Sequence, residues 1–569
     1  MTEDQEIDGR AWQAAGRRRA AALEPGSCPF LEARGLESEL EAKRRAMAEG
    51  RLTFHAQIGY RSLAESQAAW REIHERLAGR GWAPDRYGIC LDWSMGLPAA
   101  RRAGGQQGTG LILERAEDYR ALTAMAPVAP HFGDFVLGMP GALETAAAAV
   151  EAGATAIGNL SQYFTFRLPG HDDDLAATRA TVEALGMLGG LEREILVHSN
   201  LDDGYAAWFE TMGAALGMAI VERRIVEELL GLPLGHCYGH TFSHPVKRLA
   251  FKLALAEANP TPGTMVYGNT TLYGASRSAN YGALAGYLLI DIAGQLLRPS
   301  GHALTPIPVS EAERIPTVEE VVAAHEAARR LAERAEPLLP LIDQGPAEEM
   351  AGGLLAEGRA FAGRLLDGLA DAGVDLEDPG ALLLALRRSG PRRLEERYGA
   401  AGAGSVSSSH LDELVELGER VLGRVSLAQR RRLAASRPRV LVATTDVHFY
   451  GKRLIELVLE RLGLEPLDGG VSVDAESLAA AAEAAGAQVV AVSTYNGLAL
   501  SFVRRLRAAL ARRGLELPIY VGGRLNEIMA EGAGSLPVAV EREIAQTGAR
   551  PCLTVEAFLA ALADEAPAA

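Results

Sequence analysis

Arg439-Val-Leu-Val-Ala-Thr444, then Asp446-Val-His-Phe-Tyr-Gly451, then Lys452 to Leu462 form one continuous stretch. A β-type apolar run passes through a short loop into an amphipathic helical pattern. A parallel strand ending in Asp-x-His-x-x-Gly puts the imidazole of His448 on a loop at the carboxyl edge of its sheet, where open α/β sheets bind ligands. Asp446, two residues earlier, can accept that ring's other N–H. Such a pair suits an imidazole that binds a metal through one nitrogen while the other fixes its tautomer. Gly451 lets the chain turn sharply and approach a bulky ligand.

Two further runs finish in small or hydroxyl residues. They are Val489-Val-Ala-Val-Ser493-Thr494 and Leu517-Pro-Ile-Tyr-Val-Gly522-Gly523. With helices near 452, 475 and 499 between them, residues 437–569 read as a small flavodoxin-like (Rossmann-type) sheet. Asp-x-His-x-x-Gly, then Ser-Thr, then Gly-Gly, each at a strand end, resembles the cobalamin-binding domain of B12-dependent mutases, such as the small subunit of glutamate mutase (methylaspartate mutase). The resemblance implies that the coenzyme's dimethylbenzimidazole leaves cobalt and enters a slot lined by Ser493, Thr494, Gly522 and Gly523. His448 then becomes the lower cobalt ligand, hydrogen-bonded to Asp446. Taken without the resemblance, the same residues also describe a flavodoxin-like domain with no cofactor and a surface histidine.

A chain of 569 residues is too long for one hydrophobic core and calls for two or three domains. Its 57 basic and 73 acidic residues give a net charge of −16, which argues against nucleic acid or an anionic membrane as partner. No apolar signal core opens the sequence and no run of about 18 apolar residues occurs, so a cytoplasmic protein is expected. The four cysteines (Cys28, Cys90, Cys237, Cys552) are scattered singly. They form no zinc pair, cluster motif or disulfide framework, which excludes radical-SAM chemistry.

Residues 1–50 are polar and helical in pattern, suited to the outside of the main domain. From 51 to 320, short β-type runs alternate with amphipathic helices, which suits a TIM-like (β/α)8 substrate barrel with its site on the loops after the strands. The candidate strands are Tyr87–Asp92, His131–Gly138, Ala154–Asn159, Glu194–Asn200, Leu234–Gly239, Thr264–Thr270 and His302–Ile307. Residues 321–398 form a charged helical extension. Residues 399–436 hold a Gly/Ala/Ser linker up to Ser409 and one helix near 411–435.

The barrel sequence is densest in polar loop residues at Gly235-His236-Cys237-Tyr238-Gly239-His240 and on to His244. Three histidines spaced by four suggest zinc on a helix. Flanking Pro233 and Pro245 and two glycines favour a strand end and loop, hence polar walls for a small substrate. The order of elements here is similar to the barrel subunit of glutamate mutase. Cys237-Tyr238-Gly239 resembles its Gly-Tyr-Gly strand end. Thr305-Pro306 with Ile315-Pro316-Thr317 resembles the segment opening a long helix. On that likeness Tyr238 faces substrate, and Glu311 or Glu313 lies near the adenosyl ribose. One departure stands out. The arginines that clamp both substrate carboxylates in glutamate mutase are replaced by His131 and His198, and a neutral imidazole does not reproduce bidentate pairing. Arg101 and Arg102 are candidates for one clamp, or else solvated.

The expected activity is therefore an adenosylcobalamin-dependent isomerase, a carbon-skeleton mutase for a small carboxylic or amino acid. Catalytic roles fall to Tyr238, His131, His198 and Glu311. Cofactor binding falls to Asp446, His448, Gly451, Ser493, Thr494, Gly522 and Gly523, with His448 on the metal. By analogy the chain forms a homodimer. A corrinoid-dependent methyltransferase is the alternative, although that class places a helical bundle before its cobalamin domain. A cobalamin-dependent sensor would need a DNA-binding module, for which no basic recognition helix is evident.

Overall fold

The computed structural model describes residues 7–103, 107–108, 110–171, 173–311, 313–400, 405–445, 449–495, 497–528 and 537–565. They fall into two compact units, divided for most of the chain at His410 and Leu411.

Eight parallel strands build the first unit. They are β1 (His55–Ile58), β2 (Arg86–Ile89), β3 (Ala129–Phe132), β4 (Ala156–Ile157), β5 (Leu196–Asn200), β6 (Leu234–Tyr238), β7 (Met265–Tyr267) and β8 (Ala303–Thr305). They follow one another in sequence order around a TIM-like barrel. The ring closes where Leu304 bridges Phe54 in parallel and donates its N–H to the Thr53 carbonyl at 2.8 Å.

The side-chain alternation of these strands separates two environments. Outward residues such as Tyr87, Phe132, Ile157, Val197, Leu234, Val266 and Leu304 pack on the surrounding helices. Inward positions carry His55, Gln57, Arg86, Gly88, His131, His198, Gly235, Cys237, Met265 and Ala303. Barrel interiors are ordinarily filled by branched aliphatic side chains; this one is polar and glycine-rich.

The amino-terminal residues do more than coat the exterior. Helix Gly9–Ala20 does pack on helix Asp174–Leu188. Helix Glu39–Ala48 instead closes the amino-terminal end of the barrel. Its Leu40 packs on Ala156 and Leu196, and Lys43 Nζ donates to the carbonyls of Thr264 and Gly301 at 3.1 and 2.9 Å. Helix Gly345–Asp371 of the extension packs on helices Met212–Arg223 and Pro245–Ala258. The linker is not loose along its described length. Met212 donates to the Val406 carbonyl at 2.9 Å, Ser408 to Glu210 at 2.8 Å, and Lys247 Nζ to the Ser407 carbonyl at 2.9 Å.

The second unit contains a five-stranded parallel sheet of β9 (Val440–Thr444), β10 (Leu467–Asp468), β11 (Val489–Thr494), β12 (Ile519–Gly523) and β15 (Arg550–Cys552). Its order is β10-β9-β11-β12-β15, the flavodoxin-like arrangement. A small antiparallel pair, β13 (Asn526–Glu527) and β14 (Val538–Ala539), precedes β15. Helices Tyr450–Arg461, Ala475–Ala484 and Ala499–Arg512 fill the crossovers. Two helices, Ser409–Arg424 and Leu427–Ser436, lead into β9, separated at Val425 and the capping Ser426.

Candidate functional site: a strand-edge slot and a polar barrel lumen

In the flavodoxin-like unit the chain reverses its strand order between β9 and β11, which opens a crevice at their carboxyl ends. Thr444 pairs with Ser493, Ser493 with Gly522, and Thr494 with Gly523, so the hydroxyl and glycine residues stand level along one edge. Thr445 Oγ1 donates to Thr494 Oγ1 at 3.1 Å, and its N–H donates to the Ser493 carbonyl at 3.1 Å. A Cβ on Gly451 would lie 2.4 Å from Ser493 Oγ. Gly523 has φ +91° and a Cβ there would strike the Thr494 carbonyl at 2.2 Å. Gly523 therefore requires glycine, and at Gly451 any side chain would displace the Ser493 hydroxyl.

A residue with no sequence signal joins them. Ser472, on the loop after β10, has φ +54°. It is 3% exposed, and its Oγ has no hydrogen-bond partner among the described residues. A buried hydroxyl without a protein partner is available to hydrogen-bond a ligand or water. Asp446 and His448 lie outside the described residues.

The lumen of the barrel brings His131 and His198 together, with ring centroids 4.3 Å apart and His55 next in line at 6.1 Å from His131. Each ring lies over a glycine. Cβ atoms on Gly88, Gly133 and Gly158 would stand 2.7 Å from His55 Nε2, 2.8 Å from His131 Nε2 and 2.6 Å from His198 Cδ2. Burial first, and the nearby Arg86 charge second, hold all three imidazoles well below their usual pKa, so they are neutral at pH 7. They can orient a polar group and cannot neutralise an anion.

At the carboxyl end, Asp203 Oδ2 accepts from Asn159 and Asn200 side chains at 3.0 and 2.8 Å. Asp202 gathers the loop after β6, accepting the N–H groups of Gly239 and His240 at 2.6 and 2.9 Å and the Thr241 hydroxyl. Glu311 sits in the turn after β8, its N–H bonded to the Pro308 carbonyl at 3.0 Å. After burial, the charges of Asp134, Asp203 and Glu311 push the Cys90 thiol up to about 12 and raise the Tyr267 phenol.

Tyr238 lies on the other side of its strand. Its ring is edge-on to Phe242 and Phe251, 5.4 and 5.3 Å away, in the helix layer. Side chains alternate along β6, so with Cys237 inward Tyr238 must point outward, and a substrate-facing role does not follow from its position. The three histidines spaced by four are each occupied separately. His236 meets Glu222 and Asn259 at 3.0 Å, His240 Nδ1 meets Thr270 at 2.9 Å, and His244 caps helix Pro245–Ala258. No group of three metal-ligating side chains suited to an ion occurs among the described residues. Arg102 is committed to the Leu97 carbonyl and Thr145 at 2.9 and 3.0 Å, and Arg101 is exposed.

Residues 436–546 match the family described as "B12 binding domain". No curated protein matches the chain. A B12-binding domain in the same chain as an eight-stranded parallel barrel supports cobalamin-dependent catalysis. The residues present fit that cofactor: hydroxyl and glycine residues stand level along the carboxyl edge of the sheet, and the buried Ser472 hydroxyl has no partner among the described residues. No helix among the described residues is long and apolar enough to cross a membrane.

Proposed function

We propose that the protein is an adenosylcobalamin-dependent carbon-skeleton mutase acting on a small carboxylic or amino acid. Its resemblance to glutamate mutase suggests the reaction class, and its substrate need not be glutamate. The observation that carries the reading is the pairing, in one chain, of a B12-binding domain with a barrel whose lumen is lined by polar rather than branched aliphatic side chains. In this reading His448 would hold cobalt, with Asp446 fixing its tautomer. Gly451, Ser493, Thr494, Gly522 and Gly523 line the nucleotide slot.

Bound adenosylcobalamin supplies a 5′-deoxyadenosyl radical by homolysis of its Co–C bond. The residues of this chain bind and orient. His131 and His198 would hydrogen-bond substrate as neutral rings, and Glu311 would serve the adenosyl group. Helix Glu39–Ala48 excludes water from the far end of the lumen, which protects reactive intermediates. Radical migration needs no strong base, and neutral imidazoles are consistent with that.

A methyltransferase is the second reading, and the two helices preceding β9 are the feature that favours it. The experiment is anaerobic mixing of the adenosylcobalamin holoprotein with a panel of small carboxylic and amino acids. A substrate-triggered change in the coenzyme's visible spectrum, with an organic radical signal and an isomerised product, supports the mutase. Methyl transfer to a thiol acceptor with no radical signal overturns it.

A further inference from the structure

Below the three histidines the lumen ends on a guanidinium that the protein does not satisfy. Arg86, the first residue of β2, is 1% exposed. Its Nε donates to Glu39 Oε1 at 2.7 Å, but Nη1 and Nη2 have no partner among the described residues. Guanidinium stays protonated in proteins and offers five donors in a planar fork. Leaving both terminal groups dry is costly, and the fork matches one carboxylate.

The surroundings fit such a guest. Both ring nitrogens of His55, and Nδ1 of His198, also have no partner among the described residues. Glu39 is already held by Arg86, by Lys43 at 3.7 Å and by the Thr155 hydroxyl at 2.7 Å, so it keeps the arginine in place from beneath. The opposite end of the lumen has the reverse sign, given Asp134, Asp203 and Glu311. The strand rises about 13 Å from Arg86 to Cys90, at ~3.3 Å per residue. The buried rings of His55, His131 and His198 line that span.

We propose that Arg86 is the seat of a single substrate carboxylate. Nη1 and Nη2 pair with its two oxygens while His55 and His198 donate from the side. An ammonium group at the substrate's other end points toward Asp134, Asp203 and Glu311. The substrate class is then a small amino monocarboxylic acid. A second carboxylate would face three groups of its own sign, so the arginines missing at positions 131 and 198 are not required. That this guest is the substrate rests on the mutase reading; the anion seat itself does not.

The test is calorimetry and thermal shift on the full chain without cobalamin, using propionate, 4-aminobutyrate and glutarate against chloride at constant ionic strength. Propionate and 4-aminobutyrate should bind in the millimolar range, and glutarate at least 10-fold more weakly. The paired variant Arg86→Met with Glu39→Gln removes both buried charges together and should lose binding at least 10-fold. Equal binding in wild type and the pair, or glutarate as tight as propionate, overturns the seat. Should the pair fail to fold, imidazole ¹⁵N shifts of His55 and His198 in wild type decide. Movement with propionate supports the seat, and unmoved signals mean that water alone satisfies Arg86. Carboxylate binding without any substrate-triggered radical chemistry would retire the mutase reading and leave the seat intact. Radical chemistry with no binding of free carboxylates would do the reverse.

Discussion

A Cβ on Gly451 would stand 2.4 Å from Oγ of Ser493, so the first turn of helix Tyr450–Arg461 and the end of β11 approach as closely as glycine permits. Elsewhere in a helix, alanine is favoured over glycine by about 0.5–1 kcal/mol. Gly451→Val should therefore leave the circular dichroism spectrum intact while weakening cobalamin binding at least 10-fold. Adding Ser493→Ala removes the struck atom and should recover part of the affinity, read by equilibrium dialysis. Unchanged affinity in Gly451→Val would show that the slot does not hold the cofactor.

His448→Gly should loosen the cofactor and remove histidine-nitrogen hyperfine coupling from the cobalt paramagnetic spectrum. Asp446→Asn should keep cobalt bound and lower activity roughly 10- to 100-fold, the usual result of removing the partner that orients a ligand. Coupling that persists in His448→Gly rules out that ring as the ligand.

Gly158→Ala would place a methyl group 2.6 Å from the His198 ring. His198 Cβ would lie only 2.9 Å away as well, so the whole residue has to shift, which disturbs its 4.3 Å packing on His131. Activity should fall at least 10-fold with little change in melting temperature. A large fall in melting temperature instead would make the glycine a folding requirement.

His325 is fully buried against Phe54, and burial lowers its pKa from 6.5 to about 3. Neither ring nitrogen has a partner among the described residues. A folded-state pKa below the unfolded one means the unfolded chain binds the proton first. The stability is present above pH 6.5 and drains as pH falls toward 3, by roughly 1.4 kcal/mol per pH unit. His325→Phe should flatten the melting-temperature profile between pH 6.5 and 4.5. An unchanged slope assigns the acid sensitivity to other groups.

Arg248 and Asp291 make a buried two-point ion pair at 2.6 and 2.7 Å, and the same guanidinium holds the Gly239 and Tyr267 carbonyls. Asp291→Ala leaves a buried cation and should cost about 3–5 kcal/mol in denaturant unfolding. A loss below about 1 kcal/mol would mean that water replaces the carboxylate.

The flavodoxin-like sheet was legible because β9, β11 and β12 are buried on both faces and so read as unbroken apolar runs. The two-residue β10 and the polar β15 carried no such run. In the barrel, strands of two to five residues alternate outward apolar with inward His, Gly or Arg, which blurs the pattern. β1, His-Ala-Gln-Ile, escaped on that account. His131–Gly138 overlaps β3 only at His131 and Phe132, because Phe135-Val-Leu137 in the following loop is equally apolar, and Thr264–Thr270 runs past β7 into Gly268-Asn-Thr270. Motif likeness could not give the face of Tyr238, which depends on strand register. Arg86 carried no signal, since a buried arginine and a solvated one look alike in sequence.

The three histidine rings seated on glycines have a bearing on how this barrel diversifies. Most of its hydrophobic closure lies in the belt between strands and helices, while the axis carries the polar rings. Exchanges among those rings can retune which molecule is accepted while the outer scaffold stays fixed.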